Sequence, residues 1–297
     1  MLYNLANLSL NLRRRRGRIM TIKVVTDSTA DLPSQLVEEL GITMVPIYVR
    51  FGEEVYRDRV SISEDEFYQR LEHTTVHPGT VQPGPQDFLE VYQKLSPGAD
   101  GIVSIHISGK LSGTVNSALM AKDMLEGGCP VEVIDTQAVS MGLGLIVIVA
   151  ATMANAGESL DKIVEEVKQT IPKIHLLALF DTLKYLLLGG RIGKAKALLG
   201  SILNVKPMIS VKDGEIVPAG QVRTRAKGID KLLEFGQNAQ NIQDLAVVHS
   251  TTPDEAQSLA KHLGSTFDRK RIKIARVGPA LGVHTGPGAL IVVVREG

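Results

Sequence analysis

The sequence predicts a two-domain α/β protein. An N-terminal parallel sheet flanked by helices (residues 20–172) precedes a C-terminal α/β domain with antiparallel strands (residues 173–297). Three observations predict it. Short β-branched runs alternate with helical patterns from residue 22 onward, which is typical of βαβ units. After Pro172 the pattern changes to strands paired through a tight turn. The length of 297 residues and the apolar content of 44% are enough for two cores.

Three strand–helix pairs predict the first domain. They are residues 22–26 and 33–40, residues 101–107 and 115–125, and residues 131–134 with a helix beginning near Ala138. Asp31 is placed to cap the first helix, and Pro33 suits its first turn. Because parallel strands end at one edge of a sheet, the loops after them should converge there. These loops carry Asp27 and Ser28, Ser108 and Ser112, and Asp135 and Thr136.

The loop over residues 108–114 has the character of an anion site. A buried strand ends there in small hydroxyl and glycine residues, and the next helix begins with free N–H groups and a partial positive charge. Phosphate or carboxylate would suit this loop. Leu111 follows Lys110 where a P-loop requires Ser or Thr, so triphosphate hydrolysis is not expected. The alternative is an ordinary turn in which Ser112 only caps the helix.

Residues 141–153 are apolar on every side. The stretch is shorter than the ~20 residues that a membrane span requires, so it predicts a buried helix. Packing in the core explains such a helix, and the wall of an apolar ligand tunnel is the alternative.

The second domain begins with apolar residues 174–179 and 183–188, interrupted at residues 189–193 by three glycines. Asp213-Gly214 between residues 208–211 and 215–217 predicts a hairpin. Thr252-Pro253-Asp254-Glu255 has the pattern of a capping box at the start of a helix that runs to His262. Residues 271–277 and 289–294 are predicted to be the closing strands.

Charge and cysteine content limit the classes of function. The first 19 residues hold five of the 33 basic residues and no acidic one, so the remainder has a net charge of −4. That balance does not indicate a nucleic-acid-binding protein. We expect residues 1–19 to be a disordered extension or a misassigned start. The single Cys129 excludes an internal disulfide, and the N-terminus lacks a signal-peptide pattern, so we expect a cytoplasmic protein.

The residues that could carry chemistry favour binding over bond cleavage. His284 stands out because we expect it in a loop rich in Gly and Pro, over residues 278–288, where the backbone can approach another group closely. Neither a nucleophile elbow nor a metal-binding pattern is present. Hydroxyls, one imidazole and a few arginines are suited to holding an anion.

Six segments in a fixed order resemble the DegV family over about residues 20–297. They are residues 24–33, 79–83, 107–114, 133–136, 189–191 and 284–288. The resemblance implies a two-domain α/β protein that binds one long-chain fatty acid, with the carboxyl group at the domain junction and the tail buried. Some members are the FakB component of bacterial fatty acid kinase, in which a separate kinase subunit phosphorylates the bound fatty acid for phospholipid synthesis.

The resemblance implies a role for individual residues. The carboxyl-binding set falls on Thr80, Ser112 and His284. Arg191 and Arg223 match the two arginines that the family uses to present the head group or to dock the kinase. Arg225 is the alternative to Arg223. The same loops make further residues secondary binding candidates: Asp27, Ser28, Gly113 and Thr285. The family commonly has Ser after the Thr, whereas this chain has Val81, so one hydrogen bond there is lost.

The expected partners follow from the same resemblance. The chain would be a lipid carrier, not an enzyme, and would need no cofactor or metal. Its partners would be the kinase subunit and an acyl phosphate acyltransferase, with transient contact with a membrane and none with nucleic acid. Two alternatives remain open. One is an enzyme acting on a phosphorylated small molecule through the Ser/Gly loop, Arg191, His284 and Asp27. The other is a nucleic-acid-binding or regulatory protein that uses the arginines at residues 13–18.

Overall fold

A computed structural model describes residues 19–199 and 205–297. The predicted extension at residues 1–19 therefore lies, except for its last residue, outside the described residues. The fold has a four-stranded parallel sheet, a six-stranded sheet that is mostly antiparallel, and a small three-stranded antiparallel sheet. The predicted fold class is confirmed.

The described residues form the following elements. The strands are β1 (Ile22–Asp27), β2 (Ile42–Val45), β3 (Tyr48–Phe51), β4 (Glu54–Arg57), β5 (Gly79–Val81), β6 (Gly101–His106), β7 (Val131–Asp135), β8 (Ile174–Leu179), β9 (Lys206–Lys212), β10 (Glu215–Val222), β11 (Ile242–His249), β12 (Ile272–Arg276) and β13 (Leu290–Glu296). The helices are α1 (Ser34–Leu40), α2 (Glu64–His73), α3 (Pro85–Leu95), α4 (Thr114–Met124), α5 (Met141–Asn155), α6 (Leu160–Thr170), α7 (Lys184–Leu188), α8 (Arg225–Asn238), α9 (Pro253–Leu263) and α10 (Pro279–Thr285).

The parallel sheet has the order β2-β1-β6-β7, and its loops converge as the pattern predicts. The N–H of Gly109 donates to Asp135 (3.1 Å), and the Thr136 hydroxyl donates to the carbonyl of His106 (2.7 Å). The expectation that Asp31 caps α1 is wrong. Asp31 has a left-handed backbone (φ 52°), and its carboxyl accepts hydrogen bonds from Ser140 and from the N–H of Gly278. The Asp31 side chain, which the local sequence predicts to cap a helix, therefore bonds instead to residues far away in the sequence.

Helix α5 lies between the two large sheets, which explains its lack of a polar face. Its apolar side chains share one core cluster with residues of β1 and β6 on one side and of β8 and β13 on the other. A helix covered on both sides has no surface that favours polar residues. The prediction of a buried helix is confirmed.

The six-stranded sheet has the order β10-β9-β8-β13-β11-β12, with only β11 and β12 parallel. The hairpin turn at Asp213 (φ 51°) and Gly214 (φ 78°) has the positive φ values of the turn type that joins twisted antiparallel strands. Helix α9 begins at Pro253 as predicted, but the capping box does not form. Thr252 makes no side-chain cap, and Glu255 pairs with Arg225.

The small sheet, β4-β3-β5, is absent from the sequence prediction. Its strands have only three or four residues, too few for their alternation to be recognised. Val49 of this sheet and Phe67 of α2 form a separate apolar cluster with Ala280 and Val283 of α10. This packing places the end of β5 against the C-terminal domain, and so it positions Thr80.

Candidate functional site

A cavity of about 390 Å³ lies between the large sheets, within the range of small-molecule sites, about 300–1,000 Å³. Most of its lining is apolar and comes from both domains: Ile47, Val81, Ile107, Leu111, Val139, Leu176, Ala178, Phe180, Leu186, Ile209, Val211, Ile216, Val277, Ala280, Leu281 and Ile291. Helix α5 is not part of this lining, so core packing accounts for its apolar surface.

The alternation of β8 explains one wall of the cavity. Leu176 and Ala178 face it at every second position, and Phe180 continues the series just after the strand ends. Successive side chains of a strand point to opposite faces of the sheet. In a strand buried on both faces, alternate apolar residues can therefore line a cavity on one side and pack in a core on the other. Leu177 and Leu179 belong to the apolar cluster on the other side of the sheet.

The polar end of the cavity contains Thr80, Ser112, Arg191 and His284, and we use "polar end" for these four residues. The Thr80 hydroxyl and Nε2 of His284 are 3.1 Å apart although 204 residues separate them in sequence. His284 is only 9% exposed. The expectation that His284 lies in a loop is wrong: Gly278 and Pro279 begin α10, and His284 lies in its last turn. Pro is well suited to the first turn of a helix, which explains the difference.

His284 is held as a neutral ring. Burial is the main cause, and the charge of Arg191 and the proximity of His77 add to it; together they lower the pKa of His284 to about 3. Nδ1 of the ring is buried without a hydrogen-bond partner in the described part of the chain. A β-carbon at Gly189 would collide with this ring, so only glycine permits the close approach. A buried ring nitrogen without a partner destabilises the folded protein, and here it packs against the backbone of Gly189.

Ser112 and Arg191 complete the polar end. The Ser112 hydroxyl lies 2.8 Å from the hydroxyl of Thr114, the first residue of α4. Gly113 is the N-cap of this helix and supplies no side-chain cap. Arg191 donates to the carbonyl of Gly189 (2.8 Å) and keeps its exposed guanidinium at the cavity. Hydroxyls, an imidazole and a guanidinium at one end of an apolar cavity can hold a carboxylate or a phosphate.

The secondary candidates are divided by the structure. Thr285 lines the cavity, whereas Asp27, Ser28 and Gly113 are not among its lining residues. Asp27 accepts hydrogen bonds from His106 and from the N–H of Ile107. Ser28 accepts one from the N–H of Ile47. The first loop contributes Thr29 to the cavity instead.

The two candidate arginines also differ. Arg223 is exposed just after β10 and is not part of the cavity lining. Arg225 is engaged with Glu255, with Asp181 and with the carbonyl of Gly288. Arg225 is therefore engaged in structural contacts, and the role of Arg223 as the second presenting arginine stays a prediction.

Three polar residues of the cavity are missing from the sequence prediction: Thr29, Gln82 and Ser140. Gln82 lies within the segment 79–83 that already supplies Thr80, so its position two residues after Thr80 was a usable signal. Within residues 19–199 and 205–297, no cluster of His, Cys, Asp or Glu could hold a metal ion. In the same ranges no helix has the length and apolar character needed to cross a bilayer.

Comparison with known proteins agrees with this geometry. A family model described as "Uncharacterised protein, DegV family" matches residues 21–296. A DegV domain-containing protein of Streptomyces coelicolor is 39% identical over 280 residues, covering 93% of this chain and 98% of the relative. The structure of a fatty-acid-binding DegV family protein from Thermus thermophilus is 36% identical with a TM-score of 0.86, covering 93% of this chain and all of that one (100%).

The structure of DegV from Bacillus subtilis, described as a fatty acid binding protein, is 30% identical with a TM-score of 0.84, covering 93% of this chain and 100% of that chain. The match therefore extends over both large sheets and the cavity between them. This chain belongs to the DegV family.

Proposed function

We propose that this protein binds one long-chain fatty acid, with its tail in the apolar cavity and its carboxyl group at the polar end. One observation carries the proposal: Thr80, Ser112, Arg191 and His284 meet at one end of a cavity whose remaining lining is mostly apolar. The fatty acid binding described for the similar Thermus and Bacillus proteins supports it.

Tail and carboxyl group contribute unequally to binding. A tail of about fifteen methylenes at ~0.8 kcal/mol each offers on the order of 10 kcal/mol when it leaves water. Each charge-assisted hydrogen bond contributes only about 1–3 kcal/mol. The polar end therefore sets the orientation and reactivity of the carboxyl group more than the affinity.

The carboxyl group is proposed to be presented to a separate fatty acid kinase subunit, which would convert it to an acyl phosphate for a downstream acyltransferase. The exposed guanidinium of Arg191 at the cavity supports this role, because a cation there can meet both the head group and a docking protein. We place this activity in the cytoplasm, with transient contact with a membrane during loading.

Mass spectrometry of extracted lipid tests the proposed function. Protein purified from bacterial cells is extracted with organic solvent, and the lipid is quantified per chain. We expect about one long-chain fatty acid per protein molecule. Protein that carries no lipid and also rejects added palmitate and oleate would overturn the proposal.

Arg191→Ala tests the division between binding and presentation. We expect nearly unchanged lipid retention but at least about tenfold slower phosphorylation by a bacterial fatty acid kinase subunit, since the tail carries most of the affinity. Arg269→Ala, a change of an exposed arginine outside the cavity, is the matched control. Equal loss of retention and phosphorylation would contradict separate roles. Phosphoryl transfer by this chain without the kinase would instead favour the enzyme alternative.

A further inference from the structure

We infer that Val139, Leu176 and Val211 form a partition that limits the length of the bound acyl chain. This inference rests on the proposed function. A second cavity, of about 620 Å³, lies beside the first, and these three residues line both cavities. All three are apolar, and they are the whole of the shared lining.

The second cavity opens to water, away from the carboxyl group. Its lining includes exposed Gln137, Lys212 and Asp213, and the exposed side chain of His175. None of the four polar-end residues lines it. The three shared residues therefore separate the tail region from a groove lined in part by exposed polar side chains.

Two neighbouring strands and the segment before α5 hold the partition. Leu177 pairs with Ser210 in the antiparallel ladder of β8 and β9, so Leu176 and Val211 are cross-strand neighbours on the opposite face. The Ser210 hydroxyl donates to the carbonyl of Leu176 (2.7 Å), which fixes this part of the ladder. Val139 approaches from the segment that precedes α5. Leu176 is buried, whereas Val139 and Val211 are half-buried, as expected of a wall with water on one side.

In this geometry the apolar volume of the first cavity limits how long a bound acyl chain can be. Each methylene that stays buried strengthens binding by about fourfold, and a methylene pushed into the groove loses that gain. A chain long enough to reach the partition gains nothing from further methylenes, because they must displace a packed side chain or enter water. Removing methyl groups from the partition would move this limit outward.

Val211→Ala tests the partition, and Val217→Ala is the matched control. Both change a half-buried valine in the hairpin of β9 and β10, but Val217 lines the second cavity alone. Lipid-free protein is loaded from an equimolar mixture of myristic, palmitic, stearic, arachidic and behenic acids, and the bound lipid is measured by mass spectrometry. We expect Val211→Ala to raise the ratio of arachidic to palmitic acid by about fourfold, with no change for Val217→Ala.

Val211→Leu provides a test in the other direction, in case the smaller residue weakens the fold. It should lower the same ratio, since added bulk shortens the cavity. If all variants bind fatty acid with the wild-type distribution, the partition is wrong and the proposed function stands. If Val217→Ala shifts the distribution as much as Val211→Ala, the partition is also wrong. Absence of fatty acid from the wild type and every variant would overturn both.

Discussion

The polar end of the cavity and a buried cluster elsewhere in the protein each contain a histidine and hydroxyl side chains but differ in how many hydrogen bonds they complete. In the buried cluster, the Tyr92 hydroxyl donates to Ser104 (2.8 Å), and the Ser104 hydroxyl lies 2.7 Å from Nε2 of His106. Nδ1 of His106 lies 3.0 Å from Asp27. We call these four residues the Asp27 cluster. All four are fully buried, at 0% exposure.

The Asp27 cluster leaves no hydrogen bond for a ligand. A ring with its proton on Nδ1 donates to Asp27 and accepts from Ser104, so every member has a partner within the protein. At the polar end, Nδ1 of His284 has no partner among the described residues, and the Thr80 and Ser112 hydroxyls retain bonding capacity. The difference teaches that unused hydrogen-bonding capacity beside a cavity, rather than residue type, marks a binding group.

The largest expected effect is on the Asp27 cluster. Asp27→Ala removes the acceptor for His106, for the N–H of Ile107, and for both the N–H and the hydroxyl of Thr29. Each buried donor left without an acceptor costs about 1–3 kcal/mol, so we expect the free energy of unfolding to fall by about 3 kcal/mol or more. Urea denaturation of lipid-free protein measures it.

Asp27→Asn is the matched control, because it keeps one acceptor oxygen and should cost less. A normally stable Asp27→Ala protein that loses lipid retention would break the comparison, since it would assign Asp27 to the ligand site.

A smaller effect is expected at Asp58, which sharpens the link between bonding and stability. Asp31 and Asp58 are both buried near Arg59, and burial outweighs the charge of Arg59, raising the pKa of Asp31 to about 6 and that of Asp58 to about 7. Asp31 accepts hydrogen bonds from Ser140 and Gly278. For Asp58, the Ser28 hydroxyl and the N–H of Ala280 act to lower the pKa, but neither forms a hydrogen bond of normal geometry with its carboxylate oxygens.

Asp58→Asn should therefore stabilise the protein by about 1–3 kcal/mol at about pH 8, where it removes a buried charge. As the pH falls to about 5, folded Asp58 takes up a proton while the unfolded chain, with its ordinary pKa of 3.8, stays largely ionised. The wild type therefore becomes more stable as the pH falls from about 8 to about 5, and the difference in the free energy of unfolding between variant and wild type should vanish. Thermal or urea unfolding at both pH values measures the difference. A variant that is less stable at pH 8 would show that ionised Asp58 supports Arg59.

At His284 we expect no change of protonation over the neutral pH range, which is the smallest of the expected effects. Because its pKa is lowered to about 3, the ring should stay neutral between about pH 5 and 8 in lipid-free protein. NMR of ¹³C-labelled histidine measures this, and His284→Gln identifies the signal. A His284 signal that titrates near the ordinary value of 6.5 would show that the polar end is open to water.

Local patterns were sufficient for some of the regular elements. The buried strand at residues 101–107 and the Asp213-Gly214 turn were predictable because their signals lie within a few residues of one another. The small sheet was not predictable, because β5 has only three residues and depends on pairing with β3. The helical setting of His284 was hidden by glycines on both sides, although Pro279 was a usable signal for the start of a helix.

Most of the candidate site was predictable as a set of residues, but its division into binding and structural groups was not. The motifs pointed to Thr80, Ser112, Arg191 and His284, which the structure brings to one cavity. They also pointed to Asp27 and Ser28, whose hydrogen bonds stay inside the protein. Ser112 follows a strand of the parallel sheet just as Asp27 and Ser28 do, so position along the chain does not separate a binding residue from a structural one.

The sequence by itself determined the alternation of strands and helices, the hairpin, and the types of side chain available for an anion. Only the tertiary structure decided which of these side chains face the cavity. The physical reason is distance along the chain: Asp27 meets His106 across 79 residues, and Thr80 meets His284 across 204. Secondary-structure preference acts over a turn or two, whereas burial and completed hydrogen bonds depend on partners that only folding brings together.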